Sequence, residues 1–190
     1  FDYDIFSWIP ESRKPTRQEK IKAEAIIGDR LCSSLSDPIV RNAQEERQLD
    51  TITEVLRQKG YRQVESADIS SLAEFPTHCY AIHYNVPVRV NGSKTVNIPV
   101  DLAVKSQYAS MDSYPVMIEC KSAGDYTNTN KRRKEEAIKI EQLRNTYGDT
   151  IRFILYLCGY FDTGYLGYEA AEGIDWIWEH KPGDLEMLDL

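Results

Sequence analysis

From His78 onward the apolar residues recur at every second position: Tyr80, Ile82 and Tyr84 on one face, then Val86, Val88 and Val90, up to Asn91-Gly92. Side chains alternate across a strand, so a period of two predicts extended chain. Asn-Gly between two extended runs predicts a hairpin. The return strand runs from Thr95 to Val104. A hairpin of this length commits the chain to a β-sheet, and the other elements must be arranged around it.

Upstream, Thr16-Arg17-Gln18-Glu19 after Pro15 has the spacing of a capping box and predicts a first helix to about Ser33. Asp37-Pro38 reads as the N-cap and first turn of a second helix. Leu49, Ile52, Val55 and Leu56 supply its helical spacing and Gly60 its stop. Tyr61 to Val64 predicts a short strand. Downstream of the hairpin come a polar loop at 105–114, a strand from Pro115 to Cys120, and a helix opening at Thr129 or Asn130 and ending at Gly148. A buried strand follows at Ile151 to Leu157. The glycine-rich stretch 159–173 reads as turns, and 175–180 as an edge strand with Trp176 and Trp178 on one face. The aromatic residues of the last third are expected to pack the core, and Asp184, Glu186 and Asp189 to belong to a solvated tail. The order of elements predicts an α/β fold, a mixed central sheet flanked by helices.

A length of 190 residues suits a single domain, helical over about 15–60 and with a sheet and helix over about 61–180. The chain starts at Phe1 rather than Met, which is expected of a fragment or a processed product. No apolar stretch approaches the roughly 20 residues that cross a bilayer, so no membrane is expected. Cys32, Cys79, Cys120 and Cys158 stand far apart with no Cys-x-x-Cys pair, which favours reduced thiols and a cytoplasmic setting. His78, Cys79 and His83 do not read as a metal site, because adjacent strand residues point to opposite faces.

The chemistry concentrates in Glu119-Cys120-Lys121 and in Asp101 on the preceding strand. Glu119 and Lys121, two apart, share a face, while Ile118 and Cys120 point into the core. Two carboxylates and the backbone carbonyl of Cys120 offer the hard oxygens that Mg²⁺ prefers, with Mn²⁺ as the expected substitute. Lys121 then faces the same water and phosphate. The alternative is a solvated strand face whose charges pair across strands. The net charge of −7 does not advertise a nucleic-acid binder. The loop that follows Lys121 carries Asn128 and Asn130 and runs into Lys131, Arg132, Arg133 and Lys134, a local cluster able to reach a phosphate backbone. The alternative there is an exposed helix on which Lys131 pairs with Glu135 and Arg132 with Glu136.

On these residues the chain resembles the PD-(D/E)xK nuclease superfamily, and in particular its type II restriction endonucleases, over roughly residues 41–157. The resemblance implies a restriction-endonuclease-like fold forming a single nuclease domain over residues 1–190, with Asp101, Glu119 and Lys121 as catalytic residues. It implies a Mg²⁺-dependent endonuclease that hydrolyses double-stranded DNA with metal-activated water, acting as a homodimer. One departure is Val100, which separates Pro99 from Asp101. Many members add a glutamate from the preceding helix. Helical spacing aligns Glu45 with Leu49, Ile52 and Leu56, whereas the Glu-Arg-x-Leu order of resolvase-like relatives favours Glu46, which is taken as the expected residue. A junction-resolving or repair nuclease, or a module that binds nucleic acid without cutting it, are the alternatives.

Overall fold

The computed structural model describes residues 2–90, 94–110, 112–123 and 129–190 and, of these, the side chains of all but 123 and 129–133. The Asn91-Gly92 turn lies outside the described residues. Contacts divide the chain into two units, Phe1–Gln44 and Glu45–Leu190.

In the first unit the expected capping box is in place. The Thr16 N–H donates to Glu19 Oε2 at 2.8 Å and the Glu19 N–H to Thr16 Oγ1 at 3.3 Å. Arg13 donates to the same carboxylate at 2.7 Å and, together with Thr16, holds it well below the usual carboxylate range. The helix that starts here does not stop at Ser33. It is one helix, α1 (Arg17–Gln58), with Pro38 inside it. Asp37-Pro38 therefore does not open a second helix. Proline at a first turn and proline in mid-helix look alike locally, although an internal one costs about 3 kcal/mol.

The second unit begins within α1, whose end follows the sequence closely. Gly60 has φ +84°, its N–H reaches the Arg57 carbonyl at 2.9 Å, and the Tyr61 N–H reaches the Leu56 carbonyl at 2.9 Å. This is the left-handed C-terminal cap that a glycine adopts without strain. A six-stranded mixed sheet follows in sequential order: β1 (Arg62–Gln63), β2 (Cys79–Val90), β3 (Lys94–Lys105), β4 (Val116–Ala123), β5 (Phe153–Gly159) and β6 (Asp175–Trp178). β2–β3 and β3–β4 are antiparallel; β1–β2, β4–β5 and β5–β6 are parallel. The crossovers of the last two pairs carry α2 (Thr129–Tyr147) and α3 (Thr163–Ala171).

Both faces of the sheet are covered, as the near-continuous burial of β5 requires. Leu49, Ile52 and Leu56 of α1 pack on one face with Tyr80, Leu102, Ile118, Cys120 and Tyr156. Ile140 and Leu143 of α2 pack on the other with Ala103, Met117, Phe153 and Leu155, and Tyr165 of α3 joins them.

Three expectations are corrected. The stretch 159–173 holds α3 rather than turns alone: Asp162 Oδ1 accepts from the Tyr165 N–H at 2.7 Å, and Tyr165 and Glu169 are buried one turn apart. Gly164 and Gly167 conceal it, each about 1 kcal/mol less favourable than alanine in a helix. The acidic end is not a solvated tail, since Leu185, Leu188 and Leu190 are buried against the α1 face and Lys59 Nζ donates to the Leu190 carbonyl at 2.9 Å. Thirdly, Tyr80, Ile82 and Tyr84 do not share a face. Tyr80 and Ile82 lie with α1, while Tyr84, Val86 and Val88 lie with α2. The parity changes at His83, whose φ is +50°.

Candidate active site

The change of face at His83 has a counterpart on β3. Val100 packs on the α2 side and Leu102 on the α1 side, so the alternation breaks at Asp101 as well. The ladder pairs Ile82 with Leu102 and Tyr84 with Val100, which leaves His83 and Asp101 at the same level of the hairpin. Both strands turn over together, the register is kept, and two polar side chains are released from the alternating pattern.

At the same level β4 parts from β3. Their ladder consists of Leu102–Ile118, Ala103–Met117 and Val104–Val116, after which β4 continues beside β5 alone. The Cys120 N–H is met by Asp101 Oδ2 at 2.7 Å. A side-chain oxygen thus takes the place of a ladder carbonyl and fixes the Asp101 carboxylate in the opening between the strands.

Glu119 and Lys121 lie on the α2 face of β4, while Ile118 and Cys120 pack on the α1 face, as the alternation predicts. Lys121 Nζ is 3.0 Å from Glu119 Oε1 and 3.1 Å from Glu136 Oε1 on α2. Lys139, also on α2, reaches the same Glu119 Oε1 at 2.6 Å and the Pro99 carbonyl at 3.0 Å. The Tyr165 hydroxyl donates to Glu136 Oε2 at 3.2 Å. Glu119 Oε2 is buried and has no hydrogen-bond partner among the described residues.

The electrostatics follow from this crowding. Burial, and then the charge of Glu119, push the Asp101 carboxyl up to about 7 against the pull of the Cys120 N–H. Burial alone would lower the Lys121 ammonium, but Glu119 and Glu136 reverse this and leave it above the ordinary lysine range. Burial raises the Glu136 carboxyl despite its partner Lys121. The Asp101 carboxyl, crowded by the charge of Glu119, and the unpartnered buried Glu119 Oε2 are hard oxygen donors of the kind that suits a divalent cation.

The helix glutamate is resolved differently from expectation. Glu45, not Glu46, turns toward the sheet: its Oε1 is 3.8 Å from His83 Nδ1, and one ligand atom each of Glu45, His83 and Asp101 lie within 4.8 Å of one another. Glu46, the next residue round the helix, is exposed. One turn further on, Gln48 is buried, donating to the Tyr156 carbonyl at 2.9 Å and accepting from the Ser122 hydroxyl at 3.0 Å, which anchors this part of α1 over β4 and β5.

Of the predicted DNA-contacting residues, Asn128 lies outside the described residues, as do the side chains of Asn130, Lys131, Arg132 and Arg133; Lys134 is exposed on α2. Glu136 is not a surface partner for Arg132, because it is buried against Lys121. Reading the sequence missed His83, Glu136, Lys139 and Tyr165. The one available signal was helical spacing, which puts Glu136 in line with Ile140 and Leu143.

A mixed sheet flanked by helices, with an acid on one strand and an acid and a lysine on the next where the two strands part, is a restriction-endonuclease-like fold. The model of the XamI restriction endonuclease family matches residues 1–178, and the chain belongs to that family. It is 47% identical over 185 residues to type II restriction enzyme SalI of Streptomyces albus G, an alignment covering 97% of this chain and 58% of the relative, so the chain spans under two thirds of that relative's length. Among solved structures, protein VC1899 of Vibrio cholerae aligns over 64% of this chain and 28% of its own, at 18% identity and a TM-score of 0.39.

Proposed function

We propose that this chain is the catalytic part of a divalent-metal-dependent DNA endonuclease of the type II restriction class, acting on double-stranded DNA in the cytoplasm as a homodimer. Membership of a restriction endonuclease family and the 47% identity to a type II restriction enzyme support the reaction class. Among the described residues no helix is long and apolar enough to cross a membrane. The observation that carries the reading is the opening between β3 and β4, where Asp101 is fixed by the Cys120 N–H, Glu119 Oε2 is unpartnered and Lys121 holds the other oxygen of Glu119.

In this reading Asp101, Glu119 and the carbonyl of Cys120 hold Mg²⁺ or Mn²⁺. Glu45 and His83 stand on the open side, where they bear on its charge and hydration. The bound ion neutralises charge on the phosphate and lowers the pKa of water. Lys121, charged at any working pH, sets a second positive centre beside the phosphate and orients the attacking water. Double-strand cleavage needs two such centres, which a twofold dimer provides. Lys134 and the cationic run before it give the phosphate backbone a positive approach.

Digestion of plasmid DNA with and without Mg²⁺, by wild type and by Asp101→Ala, tests the reading. Wild type is expected to cut only with the cation, and Asp101→Ala to lose about 10²-fold or more in rate. Wild type that leaves DNA intact with every divalent cation, or Asp101→Ala that cuts equally well, contradicts it. Stronger cutting of branched than of linear DNA would place it among junction-resolving nucleases.

A further inference from the structure

Glu136 sits where a core residue belongs. It lies on the same face of α2 as Ile140 and Leu143 and is 1% exposed. A buried carboxylate is strongly unfavourable unless its oxygens are paired and hydrogen-bonded. Its oxygens meet groups on two different elements: Oε1 is ion-paired with Lys121 of β4 at 3.1 Å, without a hydrogen bond among the described residues, and Oε2 accepts from the Tyr165 hydroxyl of α3 at 3.2 Å. Glu119, in turn, is shared by two ammonium groups on a single oxygen, Lys121 at 3.0 Å and Lys139 at 2.6 Å.

The two lysines differ in what else holds them. The second contact of Lys139 is the uncharged carbonyl of Pro99, whereas that of Lys121 is the Glu136 carboxylate. A cation drawn to Glu119 takes away part of the counter-charge of both. Lys121 alone then keeps a full anion at ion-pair distance, fixed from behind by Tyr165.

We propose that Glu136 is the positioning residue of Lys121: anchored by Tyr165, it holds the ammonium in place while Glu119 turns to a divalent cation. This rests on the nuclease reading above and adds to it a residue that touches neither metal nor DNA. Lys139 is the lysine that yields.

The test uses the full chain with Mg²⁺ and plasmid DNA, in wild type, Glu136→Gln, Lys121→Met and the double variant, with thermal unfolding of each in parallel. Glu136→Gln is expected to lower kcat by about 10- to 100-fold, the range for partners behind a reacting group, with KM within about threefold. Glu136→Asp recovers part of the loss, and Tyr165→Phe, which keeps the carboxylate, gives a smaller loss of the same kind. In the Lys121→Met background Glu136→Gln lowers residual cleavage no further, and it raises the Tm, because it removes a buried charge left without its partner. Wild-type kcat in Glu136→Gln overturns the proposal, as does an equal fall in Tm in both backgrounds, which makes Glu136 a residue of the fold alone. If wild type itself does not cut, the nuclease reading falls, and the thermal cycle still decides whether Glu136 acts through Lys121.

Discussion

On the α1 side of the sheet Glu45, His83 and Asp101 converge, with side chains of Glu45 and His83 that are 38% and 67% exposed. On the α2 side Glu119, Lys121, Glu136 and Lys139 converge with 7%, 17%, 1% and 21% exposure. The second group is balanced, two carboxylates against two ammonium groups, and burial strengthens every attraction in it. The first has no lysine or arginine in ion-pair contact among the described residues, and the Asp101 carboxyl in it is pushed toward the protonated form. Buried charge that is balanced makes a scaffold. Charge left unbalanced where strands part is what the proposed cation would offset, and the charge of Glu119 acts on Asp101 across the two groups.

The largest effect that separates the two sides is expected on stability. Lys121→Met strips the buried group of a cation and should cost about 3–5 kcal/mol, read as a lower denaturant midpoint; a loss under about 1 kcal/mol makes that group no more than a surface cluster. Asp101 then gives the metal-free protein its pH dependence. Its folded value of about 7 lies above the ordinary aspartate value of 3.8, so between these the folded state holds a proton that the unfolded chain has released. Stability from this group is full below about pH 4 and falls as pH rises through 7. The Tm of the metal-free protein should therefore be higher at pH 5 than at pH 8, Asp101→Asn should flatten the difference, and an unchanged slope in that variant would contradict the account. Smallest is the effect on the open side, where Glu45→Gln should weaken Mn²⁺ binding about tenfold by calorimetry and Glu46→Gln should not. Equal effects of the two would erase the distinction between them.

Much of this architecture is legible in the sequence, because strand periodicity and capping are local. The hairpin strands, β4, the two ends of α1, α2 and β5 fall where alternation, the Thr16–Glu19 box, Gly60 and Gly148 put them. That Glu119 and Lys121 share a face is legible for the same reason, since the alternation holds along β4. What escapes depends on tertiary context. Pro38 carries the same local signal whether it starts a helix or interrupts one. The left-handed backbone of His83 exchanges the faces of β2, so a histidine set aside by simple alternation arrives beside Asp101. Glu136 and Lys139 look like surface helix charges until β4 and α3 are packed against them.

The central claim, that Asp101 and Glu119 together hold a divalent cation, is tested most directly by anomalous diffraction from Mn²⁺-soaked crystals of the protein. A Mn²⁺ peak is predicted between Asp101, Glu119 Oε2 and the Cys120 carbonyl, with Lys139 drawn off Glu119 and Lys121 still on Glu136. Ordered crystals with no peak there, or with Mn²⁺ bound only at a place that excludes Glu119, would contradict it.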